Sequence, residues 1–188
     1  MLNREQALKL LHQHTQNQNL RRHMYAVGYV MRALAEKLNG NPNEWEILGL
    51  LHDADWEETK DDPSKHTVRT LGWLKELKMT KGPLVHALMS HNTKWTRSAE
   101  LEGSMEWALE TCDELTRFIV AVALVRPDKK LSTVTVKSVL KKWKIKEFAK
   151  AVDRSQIGQC VEKLKIPLNE FIQIALTTMQ QHSEELGL

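Results

Sequence analysis

Residues 46–58, "EILGLLHDADWEE", decide how this chain is to be read. Ile47, Leu48, Leu50 and Leu51, with Gly49 among them, leave the segment without a polar side. A helix that is apolar all round expects burial on every face. Yet the next two residues are His52 and Asp53. A charge carried inward without a partner costs on the order of several kcal/mol or more. The segment therefore demands partners from elsewhere in the chain.

Helical punctuation surrounds it, and strand signals are scarce. Asn41-Pro42, Asp62-Pro63, Gly82-Pro83 and Ile166-Pro167 each place a proline where a helix can start, with Asn or Asp as cap in the first two. Apolar spacing predicts helices over 3–15, 20–38, 42–53, 63–79, 83–92, 104–125, 133–143, 146–151, 154–163 and 167–186. Only 132–140, "STVTVKSVL", also suits a strand by its Thr/Val alternation. The expected fold class is all-α. A compact multi-helix core covers 1–127, and a C-terminal helical extension, basic and then amphipathic, covers 128–188 on the same domain.

Two of these helices aim polar groups inward. On 20–38 the apolar stripe runs Leu20, Val27, Val30, Met31, Leu34 and Leu38, and His23 lies within it. On 104–125 it runs Met105, Leu109, Cys112, Thr116, Ile119, Val120 and Ala123, and Asp113 faces the same way. His23, His52, Asp53 and Asp113 together supply two imidazoles and two carboxylates. That set can hold one divalent cation, whose charge the two anions balance. Mixed nitrogen and oxygen donors suit Mn, Fe, Co, Ni or Zn better than Ca or an all-oxygen Mg site, though Mg is admitted. Such an ion makes water a nucleophile near neutral pH and polarises a phosphoryl oxygen. Each residue alone has a duller explanation as a hydrogen-bonded core group; the conjunction favours the ion.

Composition sets outer bounds. A chain of 188 residues, 41% apolar and 27% charged, suits one globular domain. The longest apolar run, 118–125, falls far short of the roughly 20 residues a membrane span needs, so no membrane partner is expected. Cys112 and Cys160 are too few for a disulfide framework, which points to the cytoplasm. The net charge of +3 hides an uneven distribution. From 126 to 154, ten Lys/Arg face three acids, a net of +7 that leaves −4 for the remainder.

At the four polar residues the sequence resembles the HD-domain superfamily of metal-dependent phosphohydrolases. The resemblance rests on His23 in "NLRRHMYAVG", His52-Asp53 in "GLLHDAD" and Asp113 in "ALETCDELT". More narrowly, "DELTRFIVAVALVRPDKK" and "KKWKIKEFAKAVDRSQI" are similar to a small group of stand-alone HDIG-type hydrolases. Ala54-Asp55 stands where Ile-Gly gives that group its name. Arg117 stands where the pattern has Gly, beside Asp113.

The resemblance implies a hydrolase with one or two divalent ions per chain. His91 and His66 are candidates for facing the substrate or a second ion. Asp53 and Asp113 would orient the nucleophile. Asp55 is a candidate general acid, with Glu57 and Glu58 behind it. Arg22, Arg126 and Lys130 are candidates for phosphate. The substrate class implied is a phosphoester of a nucleotide or another small phosphorylated metabolite. A second reading, less favoured, is a nucleic-acid or regulatory ligand-binding module with a degenerate HD site. It would use the basic 126–154 stretch, with Lys137, Lys141, Lys144 and Lys150 near one face and Trp143 available for stacking. No heptad or apolar face declares an oligomeric state.

Overall fold

The computed structural model describes residues 2–188 and is all-α, with no strand among them. The helices are α1 (Arg4–His14), α2 (Gln18–Lys37), α3 (Pro42–Leu51), α4 (Trp56–Thr59), α5 (Val68–Glu76) and α6 (Pro83–His91), then α7 (Thr93–Thr96), α8 (Ser104–Leu124), α9 (Val136–Trp143), α10 (Arg154–Lys163), α11 (Leu168–Gln181) and α12 (Ser183–Leu186). Single 3-10 turns occupy Pro63–Lys65 and Leu131–Thr133. None of these helices is long and apolar enough to cross a membrane.

Caps explain where the central helices begin. Asn17 Oδ1 accepts from the amides of Asn19 and Leu20 to start α2. Asn41 does the same for α3, with Pro42 at its first position. The buried segment is α3, whose residues from Trp45 to Leu51 are all buried between α1, α2 and α6. Glu46 joins them, its carboxylate held by Arg4 at 2.6 Å and Arg32 at 3.0 Å.

α2 and α3 make the most extensive helix pair in the molecule. A methyl group added at Gly49 would lie 2.6 Å from the Gly28 Cα, so the two backbones touch where both residues lack a side chain. The long α8 crosses α2 on another side, and α10 and α11 pack on α8 and α2. Ile157, Cys160, Phe171, Ile172 and Met179 of these later helices join the same core as Leu48, Leu51 and Phe118.

Three expected elements differ. The span 63–79 is broken at Thr67, which takes a left-handed φ of 65° before α5 starts. No helix forms over 146–151; the segment is a string of turns, and the Arg154 guanidinium donates to the carbonyls of Ile145 and Phe148. The strand alternative over 132–140 gives way to a 3-10 turn and α9, whose start is fixed by a capping box between Thr135 and Ser138.

Candidate metal centre

α2 brings His23, the middle of α8 brings Asp113, and the turn after α3 brings His52 and Asp53 to one point. His23 Nε2 lies 2.9 Å from Asp113 Oδ1 and 3.8 Å from Asp53 Oδ2. His52 Nε2 lies 3.6 Å from each of those oxygens. The fully buried His52 donates its Nδ1–H to the Gly49 carbonyl at 2.8 Å. That bond fixes the tautomer and turns the Nε2 lone pair toward the carboxylates.

Two atoms here are left over. His52 Nε2 has no hydrogen-bond partner, and neither has Asp113 Oδ1, although three nitrogens stand within 3.6 Å of it. Buried polar atoms rarely lack partners. Donors that crowd a common point without aligning on each other can serve as a ligand shell. At ligand distances of about 2.1 Å, adjacent donors on one ion stand roughly 3.0–3.4 Å apart, close to the separations found. The residues present therefore fit a divalent ion, and two such three-residue groups share His52: His23, His52, Asp113 and His52, Asp53, His91.

Asp53 has two sides. Its Oδ2 faces His23, His52 and Arg117, while its Oδ1 faces His66 Nε2 at 3.3 Å and His91 Nε2 at 3.7 Å. Both of those histidines are held from behind. His91 Nδ1–H donates to Glu110 Oε1 at 3.0 Å, and Glu110 in turn accepts from Gln156 at 2.9 Å. His66 Nδ1–H donates to Asp55 Oδ1 at 2.8 Å.

Burial alone would raise the Asp53 carboxyl, but His52, His66 and His91 hold it well below the usual carboxylate range. Asp113 is likewise held well below it, against burial, by Arg117, His23 and His52. Burial would lower His91, yet Asp53 and Glu110 push it well above the ordinary imidazole value. His66 is raised against burial by Asp53 and Asp55. His23 runs the other way, lowered by burial that Asp113 offsets in part.

Asp55 does not reach the cleft as a general acid would. It is fully buried, and both oxygens are engaged by His66 and by the amides of Thr67 and Thr70 at 3.1 Å. It begins α5 and aims His66. Arg126 and Lys130 are not brought to the site either. Arg126 follows Asp113 by about 20 Å along the α8 direction, and its guanidinium serves Thr133 at 2.7 Å and Asp128 at 3.6 Å.

Arg22 is brought close. It lines a cleft of 440 Å³ together with His23, Arg117, Ala26, Val120 and Leu124. A second cleft of 360 Å³, with Asp53, Trp56, Glu57 and Lys60 on its walls, shares His23 and Arg117 with the first.

Glu110 and Arg117 are the site residues that stripe reading left out. Glu110 stands one helical turn before Asp113, a spacing that places both on one face. In the basic stretch, half-buried Trp143 packs against Phe118 at the margin of the core, with ring centroids 5.6 Å apart.

A family model of the HD domain matches residues 20–185. No curated protein and no solved structure matches the chain. The matched span takes in His23, His52, Asp53 and Asp113 as well as α9, α10 and α11. The chain belongs to the HD-domain family, within the superfamily of metal-dependent phosphohydrolases.

Proposed function

We propose that this chain hydrolyses a phosphoester of a nucleotide or another small phosphorylated metabolite, using a divalent ion held by His23, His52, Asp53 and Asp113. The observation that carries the reading is the unpartnered His52 Nε2, buried and aimed at two carboxylates that are held ionised. When bound, Mn, Fe, Co, Ni or Zn there acts as a Lewis acid that makes water nucleophilic near neutral pH and polarises phosphoryl oxygen. Asp53 Oδ1 with His66 and His91 offers a position for a second ion.

The chain's own groups do the rest. Asp53 and Asp113 stay anionic and orient the attacking water. Where no second ion is bound, His91, fixed by Glu110, and His66, fixed by Asp55, border the reacting phosphorus and supply N–H donors to its oxygens when protonated. Arg22 meets the phosphate from the 440 Å³ cleft. The apolar wall of that cleft, Ala26, Val120, Leu124 and Leu186, suits the non-phosphate part of a small substrate. Cys112 and Cys160 are buried free thiols, in keeping with a reducing cytoplasm.

The test is metal analysis after dialysis and after Mn or Co reconstitution, followed by a phosphoester panel with the loaded protein. One or two equivalents of metal with phosphate release support the reading. A protein that takes up neither ion and releases no phosphate overturns it.

A further inference from the structure

Arg117 sits on the oxygens that an ion would use. Its Nη2 lies 3.1 Å from Asp53 Oδ2 and its Nε lies 3.1 Å from Asp113 Oδ1, one helical turn earlier on α8. Both nitrogens also stand 3.4 Å from His23 Nε2. One planar guanidinium thus touches three of the four residues assigned to the ion. The two carboxylates are almost fully buried, whereas the Arg117 side chain is 43% exposed. It is flanked by both clefts, so it has open space on either side to move into.

We propose that Arg117 is a tethered counter-cation of the centre, one that neutralises Asp53 and Asp113 in the metal-free protein and has to leave them before a divalent ion binds. The assignment rests on the metal-dependent reading above. Two like charges side by side in a buried site need a compensating cation. The guanidinium provides it from within the chain and bridges both groups as its fork geometry allows. A divalent ion seeks the same oxygen lone pairs and repels the guanidinium. Metal and Arg117 are therefore alternative partners of one anionic pair, and by linkage each weakens the other's hold.

Arg117→Gln removes the charge and keeps most of the length. Titration calorimetry with Mn²⁺ should show the variant binding at least tenfold more tightly than the wild type. Melting curves should show the opposite order without metal, the variant unfolding several degrees lower, and a larger upward shift on adding Mn²⁺. Arg117→Lys, which replaces the planar fork with a more strongly hydrated ammonium that holds the carboxylates less firmly, should fall between the two in Mn²⁺ affinity, and it covers the case in which the Gln variant fails to fold. Mn²⁺ binding by Arg117→Gln, or by Arg117→Lys where the Gln variant does not fold, that is equal to or weaker than wild type overturns the Arg117 assignment and leaves the metal centre standing. No Mn²⁺ binding by any of the proteins overturns both.

Discussion

Gly28 and Gly49 let α2 and α3 meet backbone to backbone, and this contact sets how close His23 and His52 come. His23 precedes Gly28 on α2, and His52 directly follows α3. Gly49 also supplies the carbonyl that fixes the His52 tautomer. A methyl group at Gly49 would press into the Gly28 Cα and nitrogen at 2.6 and 2.7 Å, where no side chain can yield. Gly49→Ala is expected to cost about 2–3 kcal/mol, a drop of roughly 4–12 °C in Tm for a chain of this size. Gly28→Ala meets Leu50 Cγ at 3.2 Å and the Glu46 carbonyl oxygen at 3.3 Å, looser contacts than those at Gly49, and should cost less. Calorimetry of both variants checks the order, and an unchanged melting point for Gly49→Ala would refute it.

Asp53 and Asp55 have opposite jobs although they are two residues apart. Asp53→Asn removes charge from a carboxylate proposed to hold the ion, so metal retention and turnover should both be lost while the helical circular dichroism persists. Asp55→Asn should keep the ion set and lose the aim of His66. A turnover loss of about 10–100-fold is expected, typical for a group that orients a site residue. It should be accompanied by about 2–4 kcal/mol of destabilisation from amides left short of an acceptor. Full activity in Asp55→Asn would show that His66 needs no such support.

Acidity should move the metal-free and metal-loaded proteins in opposite directions. His91 and His66 are raised from their ordinary 6.5, so their contribution to the fold is complete below that value and fades as pH climbs through the raised ones. Asp53 and Asp113 are depressed, so their contribution is present above about pH 4 and lost only on acidification through their lowered values. His23, lowered by burial, works the other way but only below its ordinary 6.5, so it leaves the loss above that value to His91 and His66. Metal-free protein should melt highest between about pH 4.5 and 6.5 and lose stability toward pH 8.5. Metal affinity should rise over that range, because imidazoles bind ions only when neutral. Melting curves with EDTA and with Mn²⁺ at three pH values separate the two trends. A metal-free midpoint that climbs from pH 6 to 8.5 contradicts the assignment.

Arg22 lines the cleft and is not among the four residues proposed to hold the ion. Arg22→Ala should raise KM for a phosphoester about tenfold, the loss of a charge-assisted hydrogen bond. It should leave kcat within about twofold and leave Mn²⁺ affinity unchanged. A fall in kcat with KM constant would place Arg22 at the reacting phosphorus itself.

The fold class was legible because capped, apolar-periodic segments recur along nearly the whole chain. His23 and Asp113 were legible for the same reason, as polar residues inside apolar stripes. What escaped was carried by contacts without a periodic signature. Asp55 follows the His-Asp pair closely enough to suggest chemistry, yet a chain reversal between α4 and α5 turns it into the cap of α5. Thr67 with positive φ could not be foreseen, since β-branched residues rarely adopt it. Arg126 was near Asp113 only along the sequence; a straight helix carries it away. Glu110 lies one turn before Asp113, but a lone acid beside an apolar stripe carries no signal that sets it apart from a solvated surface residue.

Because Asp55 accepts from the Thr67 and Thr70 amides with the same carboxylate that steers His66, two backbone protons become reporters of what happens at the centre. A ligand that tightens the grip on His66 also tightens the first turn of α5. Solvent exchange at Thr67 and Thr70 should then slow on occupancy, ahead of any global change. The carboxylate that holds the left-handed Thr67 amide also holds the imidazole, so the start of α5 and His66 gain or lose order together.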